Sequence, residues 1–493
     1  ARLAMVHWYT VVVYPAGRHV RDIPVRARLT VPEGWKVGTA LPVEGVDGAT
    51  TTFQTVSLET LADSPALCGR HFREIPLGTR AGAPHSLVIA CDSAEGLKAE
   101  PELVENYRRL VAEAHALFGA HHYRSYRYLM TLSDQLRHNA VEHHECSDNR
   151  LPERFFLDDT YRKQWTAWVL AHEYVHSWNG KYRRPDGLAT PDYQQPMRTR
   201  LLWVYEGLTE YLGFLLAARS GLYTPELSRE NFALIADWAT HQGGRAWRPL
   251  VDTTVAAPFL YGARGDWQSR RRGVDFYDEG ALVWLDADTL IREKTDGKKS
   301  LDDFCKAFYG GSDGPPEVKP YTFEDIVTTL NGVVAYDWKG FLDRRLNSAG
   351  AEAPLDGIAR GGWKVVFRDK PGDLLKARDD DEKAVDLRSS LGLIVKEDGP
   401  VVDVIPGGPA DRAGIGPSMK VLAVNDRRLT GDRLRTAVAA TKGGAKVSLV
   451  LENADYFQTA VLDYLGGARY PHLERVNSIP DRLGDIFRPR TGH

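Results

Sequence analysis

The 493-residue chain has few cysteines and no long apolar run. Four cysteines are too few for a disulfide-rich scaffold, and Cys68 and Cys91 could either pair in an oxidising compartment or stay as buried thiols. No segment approaches the roughly 18 apolar residues of a transmembrane helix. The formal net charge is only −3, so nothing favours nucleic acid or an anionic membrane as a partner. The length is enough for about three domains with a substantial core.

The most informative motif is His-Glu-Tyr-Val-His at 172–176. On a helix, His172 and His176 project from the same face and can share a zinc ion, with Glu173 beside them as a general base. The segment 164–179 is rich in large apolar residues and free of Pro and Gly, which predicts that helix. Taken alone, the motif also occurs by chance on helices that bind no metal.

A third ligand is predicted thirty residues after the motif. A catalytic zinc usually takes three protein ligands and leaves a fourth position open, and Glu206 follows an apolar stretch at 203–205. Glu210 lies one helical turn further on, where it is expected to accept the free ring N–H of a zinc-bound histidine. The alternative is that both glutamates are solvated positions on an amphipathic helix.

These two blocks, HEYVHSWNGK at 172–181 and YEGLTEY at 205–211, resemble the glycyl aminopeptidase family, metallopeptidase family 61, a branch of the gluzincins. The resemblance implies a multidomain α+β protein with an N-terminal β domain, a thermolysin-like, mainly helical catalytic domain and a C-terminal PDZ-like domain. It also implies one catalytic Zn²⁺ and peptide substrates with a free N-terminus, with Gly and then Ala preferred as the first residue.

The block at 275–281 resembles the segment in which aminopeptidase relatives carry a tyrosine that donates to the tetrahedral oxyanion. By this match Tyr277 is expected to donate to that oxyanion, whose charge appears only in the transition state. The alternative is that Tyr277 only caps the apolar helix that follows it.

The segment 132–143 resembles the strand along which the substrate lies in this family. By this match Glu142 is expected to bind the α-amino group of the substrate, because a carboxylate suits an ammonium. The glycines expected before this glutamate are replaced by Arg137, His138 and Asn139. Their loss puts the shape of the first subsite in doubt, since glycine lets a substrate backbone lie close to the strand.

Two other groups of polar residues are predicted to bind nothing. A cluster near Glu142 is interpreted as the polar rim of the site, because no metal-ligand spacing recurs in it; its members are His138, His143, His144, Glu145 and Cys146. The arginine run at 270–272 could bind a peptide carboxylate, but it is predicted to be a solvated face with local ion pairs.

Changes in composition and turn residues predict the domain bounds. These are an N-terminal β-rich domain at 1–98, a zinc peptidase domain at 99–350, a hairpin or linker at 351–384, a PDZ-like domain at 385–466 and a C-terminal tail at 467–493. The acidic run at 379–382 is interpreted as part of a solvated linker.

Residues 390–395 and 404–415 resemble the carboxylate-binding loop and the turn-and-helix signature of bacterial PDZ domains. Leu391, Gly392 and Leu393 are therefore expected to line a groove in which a C-terminal peptide adds a strand. The alternative is that this domain only packs against the protease.

The chain begins at Ala1, directly in a strand-like segment. In the resembling family further β structure precedes the part similar to 25–35, so we expect that an N-terminal piece, with any targeting signal, is absent here. We expect a periplasmic or secreted location.

The sequence therefore predicts a zinc aminopeptidase in which Glu173 activates the water that attacks the first peptide bond. Two alternatives stay open: a PDZ-guided zinc endopeptidase, and a peptide-binding adaptor with a vestigial peptidase core.

Overall fold

The computed structural model describes residues 2–158, 168–263, 265–350 and 352–492. Its internal contacts group the chain into two units. The first unit comprises Ala1–Thr224, Lys298–Tyr336 and Phe487–His493, and the second comprises Pro225–Gly297 and Asp337–Ile486.

The strands are, in chain order, β1 (Leu3–Val6), β2 (Pro24–Val25), β3 (Arg28–Thr30), β4 (Lys36–Thr39), β5 (Val43–Asp47), β6 (Thr50–Phe53), β7 (Val56–Ser57), β8 (Ala66–Gly69), β9 (His71–Arg80), β10 (Ala83–Cys91), β11 (Tyr126–Leu132), β12 (Asn139–Glu142), β13 (Cys146–Leu151), β14 (Arg183–Pro185), β15 (Lys319–Tyr321), β16 (Trp363–Arg368), β17 (Ala384–Leu387), β18 (Leu393–Lys396), β19 (Val401–Val404), β20 (Lys420–Val424), β21 (Arg427–Arg428), β22 (Val447–Asn453), β23 (Tyr456–Leu462) and β24 (Tyr470–Arg475).

The α-helices are α1 (Leu58–Ala62), α2 (Pro101–Phe118), α3 (Val169–Val175), α4 (Leu202–Tyr205), α5 (Gly207–Arg219), α6 (Pro225–Thr240), α7 (Leu250–Val255), α8 (Ala257–Leu260), α9 (Gln268–Arg271), α10 (Asp278–Lys294), α11 (Leu301–Tyr309), α12 (Phe323–Val333), α13 (Trp338–Asn347), α14 (Asp356–Arg360), α15 (Asp373–Glu382), α16 (Pro409–Arg412), α17 (Gly431–Ala440) and α18 (Arg482–Phe487).

A mixed five-stranded sheet in the order β12-β13-β11-β10-β9 supports the site in the first unit. Strands β10, β11 and β13 run parallel, while β9 and β12 are antiparallel to their neighbours. The parallel strands β10 and β11 are almost entirely buried, as expected for strands covered on both faces. The short strand β12 lies at the edge, and Glu142 is its last residue.

Helix α5 is the buried centre of the helical part of this unit. Every residue of Gly207–Arg219 is buried, and the helix contacts both α2 and α3. A helix that is apolar on all sides needs such surroundings, because a solvent-facing side would leave its apolar groups in water. The alternative in which Glu206 and Glu210 are solvated positions is therefore wrong, since both are less than a tenth exposed.

The N-terminal β structure does not form a separate sheet system that ends near residue 98. Strands β9 and β10 continue through β11 into the five-stranded sheet, so pairing within one sheet crosses the predicted boundary. The composition turns helical near residue 98, but composition does not reveal which distant strands pair. The three-stranded sheet β1-β8-β4 is connected to this region through packing of Leu67 and Val88.

In the second unit, β16 pairs with β24, β17-β18-β19 form one sheet, and β21-β20-β22-β23 form another. The predicted tail therefore contributes a strand, because Trp363 pairs with Arg475 and Arg368 with Tyr470 at the ends of the β16–β24 ladder. The acidic run lies within helix α15 rather than in a solvated linker. Asp379 is buried there and accepts a hydrogen bond from Arg435 at 3.1 Å.

All four cysteines are buried free thiols, so Cys68 and Cys91 do not pair in this structure. Throughout the described ranges, no helix has the length and apolar character needed to cross a membrane.

Candidate metal centre

Helix α3 holds the His-Glu-Tyr-Val-His motif against the sheet edge. It contacts β12, β13 and α5, and its residues from Leu170 to Val175 are buried. Gly213 of α5 allows this close approach, because a Cβ there would lie only 3.1 Å from the Cα of His172. The predicted helix starts at 164, but residues 159–167 lie outside the described part of the chain.

The two histidines meet on one face, as their spacing predicts. The helix ends at Val175, and His176 keeps helical backbone angles with its N–H 3.3 Å from the carbonyl of His172. The Nε2 atoms of His172 and His176 are consequently 3.1 Å apart.

Glu206 completes a triangle of donor atoms. It lies between α4 and α5, and its Oε2 is 3.5 Å from Nε2 of His172 and 3.3 Å from Nε2 of His176. Donors bound tetrahedrally at about 2.1 Å from one zinc ion lie about 3.4 Å from each other. The spacing of these three buried donors therefore fits one zinc ion.

Charge at the centre also suits a cation. Burial alone would lower the pKa of His172, but the carboxylates of Glu206 and Glu210 raise it well above its ordinary value. Burial opposes ionisation of Glu206, yet the two histidines hold the pKa of that carboxyl below its ordinary value. Carboxylates this close to two imidazoles would be neutralised by a bound divalent cation.

Each histidine is oriented by a partner on its other ring nitrogen. Oε2 of Glu210 lies 2.9 Å from Nδ1 of His172, in the position predicted for it. Nδ1 of His176 is 2.9 Å from the carbonyl oxygen of Asn179. Such contacts fix the tautomer so that Nε2 carries the lone pair toward the metal.

Asn179 and Thr209 belong to this orienting shell and were not predicted. Nδ2 of Asn179 donates to Oγ1 of Thr209 at 2.9 Å and to the carbonyl of Val204 at 2.8 Å. The asparagine thus ties the segment after α3 to the turn that carries Glu206. Its place three residues after His176, inside the motif block, is the only sequence signal that could have indicated it.

Glu173 has the environment of a general base. Burial raises the pKa of Glu173 to about 7, although the neighbouring histidines act to lower it. Its Oε2 is buried and accepts no hydrogen bond from the described residues. A carboxylate with a free oxygen and a pKa near neutrality can take a proton and release it again.

Glu142 lies beside the same centre. One carboxylate oxygen each of Glu142 and Glu173, and a ring nitrogen of His176, all lie within 4.8 Å of one another. Burial opposes ionisation of Glu142, but His176 and Lys181 lower its pKa, so the carboxyl stays charged. The residues that replace the family's glycines, Arg137, His138 and Asn139, are exposed at the start of the edge strand.

The polar cluster near Glu142 is mostly buried, so its interpretation as a rim is wrong. Asp63 of the N-terminal region contacts it: the carboxylate is 3.0 Å from Nδ1 of His143 and accepts the backbone N–H of His144 at 2.9 Å. Glu145 pairs with Arg124, and Cys146 is buried. His138 alone in this cluster is exposed. Asp63 is a partly buried carboxylate from a distant segment, so the local pattern could not reveal it.

Tyr277 belongs to the second unit, where it immediately precedes α10. Its side chain makes no cap hydrogen bond to the helix, and its hydroxyl lies 2.7 Å from that of Tyr261. The expected part of Tyr277 in catalysis stays a prediction.

The arginine run at 270–272 is solvated only in part. Arg270 pairs with Asp411 at 2.6 Å, and Arg271 lies 3.8 Å from Asp266, as a surface run would. Arg272 instead is buried between the carboxylates of Asp275 and Glu279. Only the last residue of the run, Arg272, therefore forms buried ion pairs within the second unit.

The predicted peptide groove has no free edge. Leu391, Gly392 and Leu393 are buried, and β18 pairs with β17 on one side and β19 on the other. All four residues of β18 are in register with β17. Strand addition at this position is therefore ruled out among the described residues, because the chain itself supplies the neighbouring strand.

Comparison with solved structures gives the fold. The crystal structure of an aminopeptidase N family protein from Idiomarina loihiensis matches with a TM-score of 0.77 and 19% identity, over 99% of this chain and 83% of that chain. The crystal structure of an M1 zinc metallopeptidase from Deinococcus radiodurans matches 71% of this chain and 70% of that chain at 18% identity, with a TM-score of 0.42. No curated protein sequence matches.

Fold and site together define a metallopeptidase. Residues 165–283 match the model of the M61 glycyl aminopeptidases, and residues 1–70 match that of the M61 peptidase N-terminal domain. These matches confirm the resemblance predicted from the motifs, and the chain is a metallopeptidase related to the M61 glycyl aminopeptidases.

Proposed function

We propose that this chain is a zinc aminopeptidase that removes the first residue, Gly or Ala, from peptides with a free N-terminus. The observation that carries the proposal is the position of Glu142 next to the donor triangle, with its carboxylate close to both Glu173 and His176. A substrate ammonium held by Glu142 brings the first peptide bond to the base.

His172, His176 and Glu206 would hold the zinc ion. When bound, zinc polarises the scissile carbonyl and lowers the pKa of its water toward about 7. Glu210 and the carbonyl of Asn179 keep the two imidazoles in the tautomer that binds metal.

The proton steps fall to Glu173. Its free Oε2 takes a proton from the attacking water and then delivers it to the leaving amine. A pKa near 7 suits both steps, since a stronger acid would take the proton poorly and a weaker one would keep it. Tyr277 is proposed to donate to the oxyanion, a contact worth about 3 kcal/mol in comparable enzymes.

Neither alternative has a supporting observation of its own. A PDZ-guided endopeptidase needs an open groove, and β18 is paired on both edges. A vestigial core has no physical reason to keep a complete donor triangle with a free base beside it.

The test compares glycyl-phenylalanine amide with acetyl-phenylalanine amide, which differ only in the α-amino group. We expect the glycyl substrate to be hydrolysed far faster than the acetyl substrate. This activity should be lost in Glu173→Gln, and in the wild type it should be lost on chelation and restored by zinc. Equal hydrolysis of both substrates would instead show that the free α-amino group is not required, which would refute the assignment as an aminopeptidase. A zinc-loaded protein that cleaves neither would refute the proposal.

A further inference from the structure

The hydroxyl of Tyr205 donates a 2.5 Å hydrogen bond to Oε1 of Glu142. Tyr205 comes directly before the predicted ligand Glu206, whereas Glu142 ends the edge strand 63 positions earlier. Nothing in the motif comparison assigns this tyrosine a part. The bond joins the turn that carries a metal ligand to the strand that carries the proposed amine-binding carboxylate.

The ring of Tyr205 is fixed on two sides. Its centroid lies 4.9 Å from that of His176, in a tilted contact. On the other side, a Cβ on Gly180 would lie 2.6 Å from two carbons of the Tyr205 ring. Gly180 also has a φ of +128°, which side chains rarely adopt, so glycine both permits this turn and makes room for the ring.

The backbone of Tyr205 is held as firmly as its ring. Its carbonyl accepts hydrogen bonds from Oγ1 of Thr209 at 2.7 Å and from Nδ2 of Asn179 at 3.3 Å. The phenol therefore has little freedom, and its hydroxyl points at one place.

The hydrogen bond from Tyr205 determines which carboxylate oxygen of Glu142 stays available to the substrate. This carboxylate belongs to the last residue of a short edge strand, and among the described residues no strand pairs with the other side of that strand. A donor fixed on Oε1 limits rotation of the carboxylate and leaves Oε2 as the oxygen that can accept from an ammonium. Preorganisation of this kind reduces the entropy lost when the substrate binds.

We propose that Tyr205 is a positioning residue for Glu142, and that the Gly180–Tyr205–Glu142 contact sets the preference for a free α-amino group. The inference rests on the proposed function, because it assumes that Glu142 binds the substrate amine. Selectivity for a free α-amino group then depends on Tyr205, next to the metal ligand Glu206, as well as on Glu142.

The first experiment measures the ratio of kcat/KM for glycyl-phenylalanine amide to that for acetyl-phenylalanine amide in wild type and Tyr205→Phe. We expect the ratio to fall about tenfold, through KM of the glycyl substrate, because one charge-assisted hydrogen bond is lost. Tyr128→Phe is the matched control: its hydroxyl is buried in the same unit and has no hydrogen-bond partner among the described residues, so the ratio should not change.

A binding readout separates positioning from damage to the metal centre. In a Glu173→Gln background, calorimetry should show that Tyr205→Phe raises the Kd for glycyl-phenylalanine amide about tenfold. The zinc content and the Kd for acetyl-phenylalanine amide should stay unchanged. Gly180→Ala gives a second approach, since it displaces the ring and keeps the hydroxyl, and the same loss of selectivity is expected.

The outcomes are distinct. An unchanged ratio in Tyr205→Phe, with a selective wild type, would overturn this inference and leave the proposed function standing. An equal loss on both substrates together with lost zinc would also overturn it, because Tyr205 would then only support Glu206. A wild type that does not discriminate the two amides would overturn the proposed function and this inference with it.

Discussion

The metal centre of the first unit and the β17–β18 strand pair of the second differ in what their neighbours leave open. At the centre, the three donor atoms lie within 4.8 Å of one another, and Oε2 of Glu173 accepts no hydrogen bond from the part of the chain that the structure describes. At β18, both edges are occupied by strands of the same chain. Both places were predicted as binding sites from short motifs. Of these two places, only the metal centre can bind a ligand without displacing part of the chain. Burying polar atoms without partners costs free energy, and a bound ion would remove that cost.

The largest effect is expected at Glu173. Replacing it with Gln keeps the shape and removes the base, so kcat for a glycyl substrate should fall about 10²- to 10⁴-fold. Zinc content, measured by atomic absorption, should stay at one ion per chain, because Glu173 is not one of the three donors. Residual activity within tenfold of wild type would mean that another group takes the proton.

Glu210 tests whether the orienting contacts are as important as the motif. Glu210→Gln weakens the 2.9 Å contact with Nδ1 of His172, and zinc affinity is expected to fall about 10- to 100-fold in competition with a chelator. Glu105→Gln is the matched control, because Glu105 is a partly exposed glutamate on α2 that pairs with Arg108, and it should leave the affinity unchanged. Equal affinities in both variants would show that Glu210 does not orient the ligand.

The pH profile should reflect the environment of Glu173. Burial raises the pKa of Glu173 to about 7, and only the ionised carboxylate can accept the proton of water. The ratio kcat/KM should therefore be high above pH 7 and fall about tenfold for each unit below it. A profile flat down to pH 5 would show that the carboxyl has an ordinary pKa in the working enzyme.

The sequence predicts contacts between residues that are close along the chain, and it does not predict contacts between distant segments. Helical spacing alone brings His172 to His176. Glu206, between α4 and α5, lies one turn before Glu210 of α5, so local patterns predict the residues that meet at the candidate metal centre. Asp63 and Tyr205 could not be predicted, because each acts on a residue more than 60 positions away through folding of the whole unit. The pairing of β17 with β18 is likewise not predicted, because a motif for a peptide groove does not show whether another strand of the chain already pairs with the edge of β18.

A smaller effect is expected in the acidic run of α15. Burial, and then the charge of Asp386, raise the pKa of Asp379 to about 6, above its ordinary value of about 3.9. A raised pKa in the folded state favours the protonated form, so the stability it gives is complete below about pH 4 and is lost as the pH rises through 6. Asp379→Asn should remove this dependence and stabilise the protein by about 1 kcal/mol at pH 7.5 in urea unfolding.

The control is Asp380→Asn at the exposed neighbouring position, which should leave the pH dependence as it is in wild type. If both variants behave alike, Asp379 is solvated, as the linker interpretation required.

The smallest effect is expected at β18, where a peptide with a free hydrophobic C-terminus should not bind. Fluorescence anisotropy with the Glu173→Gln protein avoids cleavage of the labelled peptide, and the C-terminally amidated peptide is the control. Because β17 already makes the hydrogen bonds that an added strand would need, we expect no saturable binding below about 1 mM. Micromolar binding that disappears on amidation would mean that β17 leaves β18 readily. The C-terminal strands would then resemble the metal centre, as a site that a ligand completes.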